Sequence, residues 1–260
     1  MAHSVNKVYV GGVGVRVWRG GAGKPAVFLH GANGVAQWNP FFEALARRFD
    51  LLVPEHPGFG GSDDPKWIRN VPDLGMFYLD FLDALDLKGV HLIGTSLGGW
   101  VAAELAARNC TRLASLTLVA PAGVRVKGVP SGDMFMWGPE ETARNLFHDP
   151  AFAEAMLAAP VSDEQADVML KNRFAATKYG WQPRWFNPDL EKWLHRIKVP
   201  THIVWGDDDK LMPPQYAEVW RARIPGAQLT RLAACGHLPH VEKTEALVER
   251  VNSFWNRIAA

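Results

Sequence analysis

The chain has 260 residues, 48% of them hydrophobic and 21% charged, a globular balance that excludes an intrinsically disordered chain. Its formal net charge is +1 and no Lys/Arg run stands out, so composition gives no support to a nucleic-acid or anionic-membrane partner. Nothing approaches 18 continuous apolar residues and "MAHSVNKVYV" has no apolar leader region, so neither a membrane span nor a signal peptide is expected, and the expected location is cytoplasmic.

In chain order, "KVYVGGVGVRVWRGG" reads as a β-hairpin around a Gly-rich turn. "PAVFLHG" (25–31) is a short apolar run ending in Gly, as in a strand buried on both faces. Residues 36–48 read as a helix begun near Pro40. "FDLLVPEHPGFGGSD" is a second buried strand running into a Gly/Pro loop. In "PDLGMFYLDFLDALDL", Leu74, Phe77, Tyr78, Phe81, Leu82 and Leu85 share one helical face. "GVHLIG" is a strand, "GGWVAAELAARN" a helix and "LASLTLVAP" a strand.

This alternation predicts a mostly parallel, doubly wound α/β sheet. The rhythm breaks from about 122 to 197, where only helical runs occur, and resumes at "VPTHIVWG". A helix from Pro213 or Pro214, a strand near "AQLTRLAA" and a last helix from about Val241 to Ile258 follow. The expected organisation is a core of residues 1–122 and 198–260, interrupted by a helical cap at 123–197. Such insertions cost little closure entropy and are often functional. Cys110 and Cys235 are expected to be unpaired thiols.

Gly94-Thr95-Ser96-Leu97-Gly98 is a G-x-S-x-G pattern placed after a buried strand and before a helix. The small flanking residues let strand and helix approach, and the turn lifts Ser96 to the carboxyl edge of the sheet. A serine hydroxyl needs a base, and the base needs an orienting acid. His237, in "CGHLPH" between the last strand and last helix, falls at the same edge, while His240 is expected to cap that helix or face solvent. The acid is sought in "WGDDDKLMPP", where Asp207, Asp208 and Asp209 are adjacent. Adjacent like charges raise one another's pKa, so one of the three can be buried and ionised while the others face water or shape the turn. Asp207 is placed to form an Asx-type turn. Acyl chemistry also needs amide donors for a developing oxyanion: Leu97, following Ser96, and Ala32 in "LHGANG" are the candidates. The His30 ring reads as a structural hydrogen-bonder. No His/Cys/Asp/Glu set has metal-ligand spacing, so neither a metal nor a cofactor is expected.

"HGANG", "PGFGGSD", "GTSLGG", "WGDDDKLMP" and "GHLPHVE", in that order, cover nearly the whole core. Together they resemble the α/β-hydrolase fold superfamily, in its cap-bearing, serine esterase-like branch. The resemblance implies Ser96 as nucleophile, His237 as base and an acid at the last position of a G-x-x-D-x-x-x-P pattern, which Asp209 occupies between Gly206 and Pro213. Glu55 departs from the Asp common in relatives ahead of the "PGFG" turn and reads as structural.

Similar families that open epoxides or dehalogenate alkanes use an aspartate at the elbow, so a serine there favours acyl transfer to water. Hydrolases of carbon–carbon bonds in ring-cleavage products usually carry Asn before the serine and Trp after the histidine, where this chain has Thr95 and Leu238. Asn172-Arg173 could mimic their basic cap residue. The favoured reading is hydrolysis of a small-molecule carboxylic ester, with carbon–carbon hydrolysis and a slow-turnover small-molecule receptor as alternatives. Asn33, Trp137 and Leu238 are the expected substrate contacts, and the cap tryptophans Trp137, Trp181, Trp185 and Trp193 suggest an apolar pocket. Oligomeric state is not readable from the sequence.

Overall fold

The N-terminal hairpin forms as β1 (His3–Val10) and β2 (Val13–Gly20). The computed structural model describes residues 2–259. β3 (Pro25–Leu29), α1 (Pro40–Ala46), β4 (Asp50–Pro54), α2 (Val71–Ala84), β5 (Val90–Thr95), α3 (Leu97–Arg108) and β6 (Leu113–Val119) follow in the expected order. The second part of the core supplies β7 (Thr201–Gly206), α7 (Gln215–Arg223), β8 (Gln228–Leu232), α8 (Pro239–Glu242) and α9 (Thr244–Ala259).

The strands make one eight-stranded sheet in the order β1-β2-β4-β3-β5-β6-β7-β8. β1–β2 and β2–β4 pair antiparallel, and every other neighbouring pair is parallel. β5 and β7 are buried at every position, which is why they read as continuous apolar runs rather than as alternation. Two apolar clusters cover the sheet. One is built on α2 and α3, with Phe77, Tyr78, Phe81, Trp100 and Leu105. The other is built on α1 and α9, with Phe41, Phe42, Val251 and Trp255. Each fully buried Leu or Phe of this kind contributes about 1.5–3 kcal/mol.

Helix starts follow local chemistry. Asn39 and Asn70 cap α1 and α2 by accepting from the amides of Phe42 (2.9 Å) and Asp73 (2.8 Å), and each helix then opens with a proline in its first turn. The C-terminal helix differs from expectation, because it is two helices broken at Lys243 (φ −130°, ψ 45°). At the break the Thr244 hydroxyl donates to the carbonyls of His240 (2.9 Å) and Val241 (3.2 Å), which α8 leaves without helical partners.

Between β6 and β7 lie α4 (Pro139–Leu146), α5 (Pro150–Ala158), α6 (Asp163–Gly180) and a 3-10 turn at Glu191–Arg196. Ser162 and Gln165 form a reciprocal capping box at the start of α6. Among the described residues the only pairing here outside a named strand is an isolated parallel bridge between Gly123 and Phe186. Both cysteines are free.

Candidate active site

Ser96 sits between β5 and α3 with φ 52° and ψ −117°, a conformation that costs a non-glycine residue of order 1–3 kcal/mol. The neighbours hold it there. Its amide donates to Val119 O (3.0 Å), and its carbonyl accepts from Trp100 N and Ala122 N (both 3.1 Å). A Cβ on Gly94 would lie 2.3 Å from Gly98 O, and one on Gly98 would lie 2.1 Å from Leu29 O. Only glycine fits at either flank of the elbow. Leu97 opens α3, so its amide has no acceptor within the helix.

The three aspartates after β7 part company. Asp209 is 3% exposed, and its Oδ2 lies 2.8 Å from Nδ1 of the equally buried His237. Its Oδ1 accepts from the amides of Leu211 (2.9 Å) and Met212 (2.8 Å), so the carboxylate cannot turn. Asp208 pairs with His148 Nδ1 at 2.9 Å. Asp207 pairs with Arg231 across to β8. The Asx-type turn expected at Asp207 is made instead by Asp209, because only its carboxylate points back over the loop.

With Nδ1 facing a carboxylate, His237 carries its proton there and leaves Nε2 as the free lone pair. Nε2 is buried and has no hydrogen-bond partner, Ser96 Oγ included. Both residues line one cavity of about 170 Å³ with Gly31, Ala32, Asn33 and Leu238. The structure therefore gathers Ser96, His237, Ala32, Asn33 and Leu238 at one cavity, with Asp209 behind the histidine. Trp137 is not brought there. It packs under Gly132 and beside the small cluster of Ala143, Leu146 and Leu211. Met134, Leu146 and Leu211 take the wall that Trp137 was expected to form. Of the other tryptophans between β6 and β7, Trp185 is buried and stacked on Phe135, while Trp181 and Trp193 are half exposed. A second cavity of about 440 Å³ shares Gly31, Gly34, Thr95, His240 and Val241 with the first.

His240 neither caps a helix nor simply faces solvent. Its ring packs against Phe28 and Phe41 and lines both cavities. Burial, and then the nearby His237, push its pKa down to about 4, so it is neutral at pH 7. His30 is a structural hydrogen-bonder: Nε2 accepts from His56 N (2.9 Å) and Nδ1 donates to Gly31 O (2.7 Å). His56 Nε2 donates to His30 O (2.9 Å), and its Nδ1 accepts from Tyr78 OH (2.6 Å). Burial keeps both rings neutral, pushing His30 to about 4 and His56 well below its usual value. Glu55 is structural too, accepting from Arg16, Trp18 and Gly61. Cys235, two residues before His237, is no rival nucleophile, since burial pushes its thiol up to about 12.

Two supporting groups were not legible from the sequence. Glu242 accepts from the amides of His148 (2.8 Å), Asp149 (2.6 Å) and Gly236 (2.6 Å), tying the histidine loop to the α4–α5 connection. His237 N adds a bond to Leu146 O (2.8 Å). Asn172, in α6, reaches the turns after β3 and β4. Nothing in a helical run marks such a residue, because its partners lie more than 100 positions away in the chain.

A strained serine elbow, a buried carboxylate–imidazole pair and a mostly parallel sheet that presents both at its carboxyl edge define a hydrolase architecture. Residues 24–244 match the family model described as alpha/beta hydrolase fold, and the chain belongs to that family. It is 29% identical to the 2-hydroxy-6-oxo-2,4-heptadienoate hydrolase of Pseudomonas putida, over 95% of this chain and 94% of that protein. It is 26% identical to Lipase 1 of Psychrobacter immobilis, over 90% of this chain and 77% of that protein. The crystal structure of a hydrolase from Pseudomonas aeruginosa superposes with a TM-score of 0.76 at 27% identity, covering 96% of this chain and 98% of that one. Among the described residues no helix is long and apolar enough to cross a membrane.

Proposed function

We propose that this chain is a serine hydrolase that cleaves carboxylic esters of small, uncharged, mainly apolar substrates through an acyl-enzyme. Residues 123–197 act as its cap. The observation that carries the substrate class is the wall of the Ser96 cavity. Met134, Leu146, Leu211, Leu238 and Val241 line it, and among the described residues no Lys, Arg, Asp or Glu lines either this cavity or the adjoining one. A buried carboxylate on a substrate would find no counter-charge there.

In this mechanism Ser96 Oγ attacks the ester carbonyl carbon as its proton passes to His237 Nε2. The amides of Ala32 and Leu97 hold the oxyanion. Collapse expels the alkoxide, which takes the proton from His237 and leaves as the alcohol. Water then attacks the acyl-enzyme, giving a proton to His237, and the acid leaves as Ser96 regains its proton. Asp209 stays ionised throughout and stabilises the imidazolium.

Similarity to the heptadienoate hydrolase favours a second reading, carbon–carbon hydrolysis of a dienoate. Against it, Arg173, the basic residue that the sequence pairs with Asn172, is exposed on α6, and among the described residues no Lys or Arg lines either cavity. A panel of p-nitrophenyl esters of graded acyl length, with a 2-hydroxy-6-oxodienoate alongside, tests both on wild type and Ser96→Ala. Ester hydrolysis with multiple turnover, lost in Ser96→Ala, is expected. Dienoate cleavage outpacing every ester would overturn the substrate class, activity surviving in Ser96→Ala would overturn the mechanism, and one acylation without turnover would indicate a receptor.

A further inference from the structure

We propose that Asn172 is a positioning residue for the oxyanion hole, holding from α6 the turn that carries the Ala32 amide; this rests on the serine hydrolase reading above. The turn spans Gly31 to Gly34 and closes on itself through Gly34 N to Gly31 O (3.1 Å). On one side it abuts the nucleophile, since a Cβ on Gly31 would lie 3.4 Å from Ser96 Cβ. On the other it meets the Asn172 carboxamide: Nδ2 donates to Asn33 O (2.9 Å), and a Cβ on Gly34 would lie 2.4 Å from Nδ2. Asn172 Oδ1 accepts from Gly60 N (2.8 Å) in the loop after β4.

Both partners are backbone groups of fixed polarity, so the amide has one orientation only. Asn172 is 5% exposed, and α6 is braced around it. Lys171 Nζ donates to Gly60 O (2.7 Å) and Ser62 O (2.8 Å), and Tyr179 OH donates to Pro57 O (2.9 Å). One side chain from the segment between β6 and β7 thus pins the turn after β3 to the loop after β4. Ala32 sits inside that turn, and a misplacement of about 1 Å at a catalytic group can cost on the order of 10²-fold in rate. The cap would then do more than cover Ser96, because its seating would set the geometry of the oxyanion hole.

The test compares wild type, Asn172→Ala and Asn172→Asp on p-nitrophenyl butyrate, with active sites counted by exhaustive fluorophosphonate labelling. Affinity for a trifluoromethyl ketone, which forms an oxyanion on Ser96, is measured in parallel. Asn172→Asp keeps the acceptor for Gly60 N and loses the donor to Asn33 O, so it reads the proposal even if Asn172→Ala does not fold. The expected result is a fall in kcat per labelled site of about 10-fold or more with little change in KM, matched by a similar loss of ketone affinity. A lower melting temperature with fewer labelled sites, but unchanged kcat per site and ketone affinity, would make Asn172 merely structural and overturn the proposal. Wild-type protein without Ser96-dependent hydrolysis would instead overturn the function on which it rests.

Discussion

Asp209 Oδ2 meets His237 Nδ1 at 2.8 Å in a buried setting, while the same carboxylate's Oδ1 is held by two backbone amides. One aspartate of three is thereby committed to the histidine. Asp209→Asn is expected to lower kcat by about 10³–10⁴-fold, because an amide that presents its NH₂ to Nδ1 selects the wrong tautomer of His237. Asp207→Asn, which only breaks a half-exposed pair with Arg231, is expected to stay within about 3-fold. Steady-state kinetics of the two variants side by side check this. Equal losses would mean that the loop has been misassigned.

The buried Glu242 carboxylate accepts from three amides, two of them in the half-buried α4–α5 connection and one, buried, in the histidine loop. Glu242→Ala leaves those amides without acceptors. The expected cost is about 3 kcal/mol or more in urea unfolding, since bonds to a charged acceptor are each worth about 1.5–3 kcal/mol. Activity should fall with it, because the loop carrying His237 loses its brace. A stability change under 1 kcal/mol would show that water replaces the carboxylate easily.

The elbow glycines give a steric prediction. A Cβ at position 98 would stand 2.1 Å from Leu29 O, a backbone atom with nowhere to go. Gly98→Ala is expected to destabilise the fold by about 3 kcal/mol or more and to displace Ser96. Gly138, where nothing lies within 4 Å of the added Cβ, is the control. Gly138 caps α4, so Gly138→Ala should cost no more than about 1 kcal/mol, and similar midpoints for both variants would contradict the packing argument.

Acid sensitivity follows from the buried neutral histidines. Burial lowers His30 to about 4 and His56 well below its usual value, whereas both titrate near 6.5 in the unfolded chain. Between these values the unfolded state binds protons that the folded state refuses. Stability is therefore full above pH 6.5, falls as pH drops and levels off below about 4. For His30 alone the loss is on the order of 3 kcal/mol, a large share of a typical domain's 5–15 kcal/mol. Urea midpoints measured from pH 7.5 to 4.5 should fall steeply, and a flat profile would mean that the rings are charged in the folded state.

The core was largely legible because its signals are local. Buried runs gave β3, β5 and β7, a 3.6-residue period gave α2, and Gly and Pro marked the turns. The break at Lys243 carries no Gly or Pro to mark it; it is a single residue with φ −130° and ψ 45° inside a run of helix formers. Trp137 was misplaced for another reason. Its neighbours Met134, Phe135 and Met136 are all apolar, and apolarity does not say which member faces a cavity. Packing turned Met134 inward and sent Trp137 beneath Gly132.

The order of strands and helices, the glycine-flanked serine and the loops bearing Asp209 and His237 were all contained in the sequence, because periodicity and turn chemistry act between near neighbours. How the Asp209 carboxylate is held against the histidine, which side chains wall the cavity and which residue of α6 reaches the turn after β3 were decided only by the tertiary structure. Those partners lie from 28 to 139 positions apart, and only the packing of the whole sheet and its helices brings them within hydrogen-bonding distance.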